Sequence, residues 1–333
     1  MKASAVANAN IALVKYWGKR NKKLMLPQNS SISVTLDGVF VHTTVDFDEK
    51  YKKDIFILNG KKYDKGSEEY DEYIETFLNF VRKFARTNLK AKIVSKNNFP
   101  SSAGLASSAA GFAALSEAIN KALKLDLSRR DLSILARHGS GSATRSIFGG
   151  FVEWQKGEEK DGSDSFAKGI ASPDYWKEFK IMICLTSKKE KKIKSRTGME
   201  QTIKTSPYYQ IWLKTIEGDL RNVKKGIREK KINLVGETSE ENCLKMHATM
   251  ITTKPPIFYW NSGTMEIIHS VLNLREEGVE AYFTIDAGSQ VKIICLESDV
   301  RKIKERVSGL KGTKEVIITG PGKGSFVTNK HLF

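Results

Sequence analysis

The 333-residue chain is 40% hydrophobic and 28% charged, which supplies a core for two domains or one large one; its 25 Gly, 7 Pro and 3 Cys exclude collagen-like, low-complexity and disulfide-scaffold classes. Its 55 Lys+Arg against 38 Asp+Glu leave a formal charge of +17, which favours an anionic partner: nucleic acid, a membrane surface or a phosphorylated metabolite. No run approaches the roughly 18 apolar residues of a membrane span, and Asn8, Asn10 and Lys15 interrupt the N-terminal segment before a signal-like stretch forms. A soluble cytoplasmic protein is therefore expected. Cys184, Cys243 and Cys295 are odd in number, far apart and without a CxxC pair, so inert thiols are expected rather than a zinc or redox site.

In chain order, the β-branched stretch from Ser31 to Val45 predicts a hairpin turning at Asp37-Gly38, and residues 55–63 repeat that pattern around Asn59-Gly60. Tyr70, Tyr73, Ile74, Phe77, Phe80, Val81 and Phe84 recur at three- and four-residue spacing and predict an amphipathic helix over 67–86. A strand follows at 91–95, then a loop and a helix striped by Leu105, Ala109, Phe112, Leu115, Ile119 and Leu123. Another helix ends near His138, and a strand is expected over 151–155. The lysine-rich run 188–194 is the expected link between two domains, 1–187 and 188–333. Helices are expected to about Ile232 and again over 257–277. Strands then fall at 281–285 and 291–296, a helix near 299–308 and a strand at 315–319, which makes the second half α+β.

Three small-residue loops carry the chemistry. The first, 99–110, lets the backbone approach a ligand and leads into a helix N-terminus suited to phosphate, with Ser107 and Ser108 as further donors or a Mg²⁺ contact. It lacks G-K-[ST] and is no Walker A loop; tight helix packing is the alternative explanation. The second, 139–146, offers four hydroxyls and the planar fork of Arg145. The third, 320–325, has no helix behind it and is expected to be a turn between strands. Asp286 ends a strand at an Ala-Gly turn, where on local grounds it would cap the turn.

Taken together, NIALVKYWGKR (10–20), LPQNSSISVTL (26–36), NNFPSSAGLASSAAGFAAL (97–115), SGSATRSIFGGFVEW (140–154), PPIFYWNSG (255–263) and AYFTIDAG (281–288) resemble the diphosphomevalonate decarboxylases of the GHMP kinase superfamily. The resemblance implies an α/β domain of the ribosomal-S5 type joined to a ferredoxin-like α+β domain, with the site in the cleft between them. It implies ATP-dependent decarboxylation of (R)-5-diphosphomevalonate to isopentenyl diphosphate by way of 3-hydroxyl phosphorylation, with ATP and Mg²⁺ as the only cofactors. By resemblance, Pro100, Ser101, Ser102, Ala103, Gly104, Leu105, Ala106, Ser107 and Ser108 hold ATP, with Ser108 also near Mg²⁺. Asn10, Tyr16, Trp17, Gly18, Lys19, Ser140, Gly141, Ser142, Ala143, Thr144, Arg145, Ser195 and Arg196 hold the substrate, and Asp286, Lys19 and Arg145 are catalytic. The substrate-contacting arginine that some relatives place in the 67–86 helix has no counterpart here, since Arg82 and Arg86 lie late in it. A kinase of the same superfamily is the nearest alternative, and the joint presence of Lys19, Arg145 and Asp286 favours the decarboxylase. A basic RNA-binding protein is the alternative of another class; no RNP-like aromatic motif supports it, and neither a nucleic-acid nor a membrane partner is expected. The expected assembly is a homodimer.

Overall fold

The computed structural model describes residues 1–67, 69–99, 107–187, 189 and 191–333. The first half contains β1 (Lys2–Val14), the short pair β2 (Lys19–Asn21) and β3 (Leu26–Pro27), β4 (Ser31–Asp48), β5 (Ile55–Leu58), β6 (Lys61–Tyr63), α1 (Thr76–Ala85), β7 (Lys90–Asn97), α2 (Ser107–Ala122), α3 (Arg129–Gly139), the single turn α4 (Ala143–Ser146), β8 (Phe151–Trp154) and β9 (Ala167–Ala171). Then follow β10 (Phe179–Leu185), α5 (Ser195–Thr205), α6 (Tyr209–Glu229), α7 (Ile232–Ile251), α8 (Ser262–Glu276), β11 (Tyr282–Ile285), β12 (Val291–Leu296), α9 (Val300–Ser308), β13 (Glu315–Thr319) and β14 (Phe326–Thr328).

One sheet runs β14-β1-β4-β7-β5-β6, with β8 added on the far half of β4 and β9 beyond it; its pairs are antiparallel except β5 with β7. The second is antiparallel in the order β11-β12-β10-β13. β1 lies between two cores, which explains its almost uninterrupted burial. Ala3, Ala5 and Ala7 pack in the core beneath α2, while Ala9, Ile11 and Leu13 join Ile181 and Ile183 of β10 and Val223 and Val235 of α6 and α7. That shared core makes the two halves meet along β1, and the cleft opens at its end.

Four of the expected elements differ from the sequence reading. The 31–45 stretch is no hairpin: β4 runs unbroken for 18 residues, and Gly38, at φ +69°, serves a bulge where the register against β1 shifts between Asn8 and Asn10. The 67–86 helix begins as a π-helical segment, Glu69–Glu75, before α1; Tyr70, Ile74, Phe77 and Val81 face the core and Phe84 stays exposed. Ile232 starts α7 rather than closing the helical stretch, and α8 begins only at Ser262, where Asn261 forms a capping box with Thr264. Asn59-Gly60 does turn a hairpin, with both residues at positive φ. The run 188–194 was expected to separate the domains, yet β10, on its N-terminal side, already lies in the second sheet, and β14 returns to the first. The 320–325 loop is the turn that carries the chain back between them. All three cysteines are buried and free.

Candidate active site

A cleft of about 830 Å³ lies where β1 ends between the sheets. β1 and the residues after it contribute Asn10, Lys15, Tyr16, Trp17 and Lys19; the α3–α4 turn contributes Ser140, Gly141, Ser142 and Arg145; the start of α5 contributes Ser195 and Arg196; the β11–β12 turn contributes Asp286; and the first turn of α2 contributes Ser107 and Ser108. Of the expected substrate residues, Gly18, Ala143 and Thr144 do not line it. Gly18 takes φ +112° beneath Tyr209, where a side chain would collide with the phenol. Ala143 and Thr144 are buried in α4, and Thr144 Oγ1 donates to the Gly141 carbonyl at 2.8 Å, which braces the loop. Residues 100–106 of the expected ATP loop lie outside the described residues.

Asp286 sits immediately beyond β11, so the strand aims it at the cleft. Lys15 Nζ donates to its Oδ1 at 2.7 Å, and the Lys292 ammonium lies 3.5 Å from Oδ2. Burial alone would raise the Asp286 pKa; Lys15, Lys292 and the more distant Arg145 outweigh it and hold the carboxyl well below the usual carboxylate range. Lys292 is pulled below the usual lysine range by burial, against the opposing attraction of Asp286. Oδ2 of Asp286 is buried and accepts no hydrogen bond among the described residues.

Arg145 is fully enclosed. Its Nη1 donates to Ser31 Oγ at 2.6 Å, and its Nε and Nη2 donate to Asn10 Oδ1 at 3.3 and 3.2 Å. Asn10 is itself fixed by donating to the Ser142 carbonyl and Ser146 Oγ. Burial pulls the Arg145 pKa down to about 10, with Asp286 and Tyr16 opposing. The Tyr16 pKa is pushed up by burial, and its hydroxyl has no partner among the described residues. Gly141 is required where it stands, since a Cβ there would lie 2.7 Å from the Trp154 ring. Ser140 Oγ lies 3.2 Å from Ser142 Oγ and 3.4 Å from Ser108 Oγ, which joins the first two small-residue loops in one surface.

The opposite end is cationic. Lys19 is pulled down to about 8 by burial and by Arg196. Arg196 stacks on the Tyr73 ring at 3.7 Å and donates to the Glu72 and Gly139 carbonyls, so it spans the cleft from α5. Lys191 bridges the two ends: it donates to Ser195 Oγ and to the Ala287 carbonyl beside Asp286, and burial pulls it down to about 8 against the attraction of Asp286. Lys189, Lys191, Lys192 and Lys194, within the run expected to be an exposed link, thus line the cleft. Arg82 does not: it forms an ion pair with Asp54.

Sequence reasoning missed Lys15, Lys292 and Lys191 as site residues; of the lysines it named only Lys19, which is not the one paired with Asp286. The missed signal was a lone lysine inside an apolar stretch, in IALVKYW and in VKIICL; such a lysine is buried by its neighbours and needs a carboxylate.

Mg²⁺ commonly takes most of its oxygens from nucleotide phosphates and water, with few from protein. The Ser107 and Ser108 hydroxyls beside the cleft suit that arrangement, and among the described residues no group of three or more His, Cys, Asp and Glu forms a separate metal cage.

Comparison with known proteins agrees along the whole chain. The diphosphomevalonate decarboxylase-like N-terminal domain matches residues 7–167, and the mevalonate 5-diphosphate decarboxylase C-terminal domain matches residues 181–320. The Candida albicans diphosphomevalonate decarboxylase is 39% identical, over 90% of this chain and 86% of that one. The Enterococcus faecalis mevalonate diphosphate decarboxylase superposes with a TM-score of 0.91 at 41% identity, covering 99% of each chain. The Staphylococcus aureus enzyme gives 0.92 at 39%, covering 98% of each. A complex of the protein called MDDEF with MVAPP, AMPPCP and magnesium gives 0.92 at 41%, covering 99% of each. The mixed α/β architecture is that of these GHMP-kinase-type structures, and the chain belongs to the diphosphomevalonate decarboxylase family.

Proposed function

We infer that this protein converts 5-diphosphomevalonate, ATP-dependently, to isopentenyl diphosphate, ADP, phosphate and CO₂. The observation that carries the reading is the Asp286 carboxylate at the mouth of β11, held by Lys15 and Lys292 and facing the enclosed Arg145 across a cleft that also reaches the start of α2. Decarboxylating a 3-hydroxy acid that has no electron sink requires the hydroxyl to become a leaving group. In this reading the 3-hydroxyl donates to the Asp286 carboxylate, and its proton passes there as the hydroxyl oxygen bonds to the γ-phosphorus and the bond from that phosphorus to ADP breaks. The C3–O bond then breaks with release of phosphate. The electron pair of the C2–carboxylate bond becomes the C2=C3 double bond as CO₂ departs.

Because its pKa is so low, Asp286 takes the proton late, after the hydroxyl oxygen has begun to bond to phosphorus. Its earlier contribution is orientation and charge. Lys19, Arg196 and Tyr16 supply the donors for the diphosphate, and Arg145 the charge opposite the carboxylate and departing phosphate. Ser107 and Ser108 assist the ATP phosphates. The relative solved with MVAPP, AMPPCP and magnesium supports ATP and Mg²⁺ in these roles. This reading retains the cytoplasmic location and homodimer; light scattering that gives the mass of a single chain would overturn the dimer.

The test is incubation with Mg-ATP and 5-diphosphomevalonate. The expected result is ADP, phosphate and CO₂ in equal amounts; ADP formed without phosphate or CO₂ would identify a kinase instead.

A further inference from the structure

Lys15 stands where the β1 ladder stops, since the last pairing is Val14 with Ile32. Its backbone N–H and C=O therefore have no strand partner, and buried backbone groups must find another. Two asparagines take them. Asn242 Oδ1, from α7, accepts the Lys15 N–H at 2.8 Å, and Asn29 Nδ2 donates to the Lys15 C=O at 2.8 Å. Both asparagines are buried, Asn242 completely. The amide of Asn242 has one permitted orientation, because its Nδ2 donates to Asp219 Oδ2 at 2.7 Å, and Asp219 is anchored in turn by Lys245 at 2.8 Å.

The next residue of α7 reaches the other half of the ion pair. Cys243 Sγ accepts the Ile285 N–H at 3.1 Å and donates to the Ile285 C=O at 3.3 Å, on the outer edge of the edge strand β11. One turn of α7 thus holds the backbone beneath both Lys15 and Asp286.

We propose that Asn242, fixed by Asp219, is a positioning residue that sets the Lys15 ammonium against the Asp286 carboxylate. It touches neither the carboxylate nor, in the decarboxylase reading on which this proposal rests, the substrate. Without its acceptor, the Lys15 peptide loses its anchor to α7 while Ile285 keeps its own, so the two halves of the pair can shift apart. The charged and titratable groups facing Asp286 are Lys15 from the end of β1, Lys292 from β12, Arg145 from α4, Lys191 from the loop before α5, and His247 and Cys243 from α7. Loosening Lys15 removes part of the attraction that favours the ionised carboxyl, so the carboxyl takes up its proton at a higher pH.

The experiment compares wild type, Asn242→Ala, and the swapped pair Asn242→Asp with Asp219→Asn. In the swapped pair a carboxylate at position 242 still accepts the Lys15 N–H, and an amide at position 219 still donates to it. Asn242→Ala is expected to lower kcat by at least about tenfold, since a misplacement near 1 Å costs up to about 10²-fold. KM for either substrate should stay within about threefold, and the acid limb of kcat should move to higher pH. The swapped pair should recover most of kcat and return the limb. Asn242→Ala with wild-type kcat per folded enzyme and an unmoved acid limb would overturn the proposal, whatever its Tm. Failure of the decarboxylase reading shows separately, as absence of CO₂ from the wild-type protein.

Discussion

At the Asp286 end of the cleft, two ammoniums, each 1% exposed, share one carboxylate, and the neighbouring guanidinium is fixed in place by a hydroxyl and an amide oxygen. At the Lys19 end the cations meet carbonyls, hydroxyls, an aromatic face and one another: Lys19 is depressed partly by Arg196, and Arg196 rests on Tyr73. Fixed charges cost no reorganisation when the reaction begins, which suits the end where bonds change. Cations held short of full compensation gain most from an arriving anion, which suits the end that captures a diphosphate. Part of the +17 is thus built into one cleft in two forms, one organised by the fold and the other by ligand.

Breaking the internally paired end has the largest expected effect. Asp286→Asn keeps the shape and an acceptor for Lys15 but loses the charge and the basic oxygen, so kcat should fall at least roughly 10²-fold, the lower bound for general-base assistance. ADP and CO₂ should vanish together; normal ADP with no CO₂ would place Asp286 in the second step. The local turn-capping role suggested by sequence would leave Tm unchanged, whereas the structure predicts a fall. Breaking a buried ion pair costs about 3–5 kcal/mol, and because Asp286 itself is 27% exposed the lower end applies.

Arg145→Lys strikes the same end through geometry. An ammonium keeps the charge but cannot reach both Ser31 and Asn10. The expected loss in kcat/KM is roughly 10²-fold, comparable to a 1 Å misplacement of a reacting group. Steady-state kinetics at wild-type values would reduce Arg145 to a brace between β1 and α4.

The capture end should reveal itself through alkaline pH. Lys19 and Lys191, both pulled down to about 8, are charged below that pH and lose charge above it. kcat/KM for diphosphomevalonate should therefore fall above about pH 8, while the basic limb of kcat lies higher, because the bound anion favours the ammonium. Between pH 8 and the ordinary lysine value near 10.4 the unfolded chain binds more protons at these positions than the folded one. Their contribution to the stability of the unliganded protein thus rises with pH while affinity falls. A Lys19→Gln variant that kept the same basic limb would assign it to another group.

The two ends were unequally legible in the sequence. Arg145 and its serine loop stood out because a helix cap accounts for one hydroxyl but not for four and a guanidinium, whereas Asp286, which on local grounds would cap a turn, was singled out only by the family resemblance. The α2 and β11–β12 assignments held because their apolar periods matched the cores they face. Lys15 and Lys292 were hidden because periodicity treats a lysine in an apolar strand as an interruption, and only tertiary structure brings the 271-residue separation of Lys15 and Asp286 to contact distance. β4 was misread for a related reason: Asp-Gly satisfies a hairpin turn and a bulge equally well locally, and the partner strand β1 decides between them.

The smallest expected effect lies where the two small-residue loops meet. Ser108 is exposed in the first turn of α2, with its Oγ 3.4 Å from Ser140 Oγ, a weak contact at the limit of hydrogen bonding. Ser108→Ala removes that hydroxyl and leaves the helix backbone intact, so stability should change by no more than about 0.5 kcal/mol. If the hydroxyl serves a nucleotide phosphate, its loss removes one net hydrogen bond, worth about 0.5–1.5 kcal/mol. That corresponds to a rise of roughly 2–13-fold in KM for Mg-ATP, or an equal fall in kcat if the contact forms only as the phosphoryl group moves. KM for diphosphomevalonate should not move, because Ser140 and Ser142 retain their own contact at 3.2 Å. The reverse pattern, an unchanged Mg-ATP KM with a raised diphosphomevalonate KM, would transfer Ser108 from the nucleotide to the substrate side of the cleft.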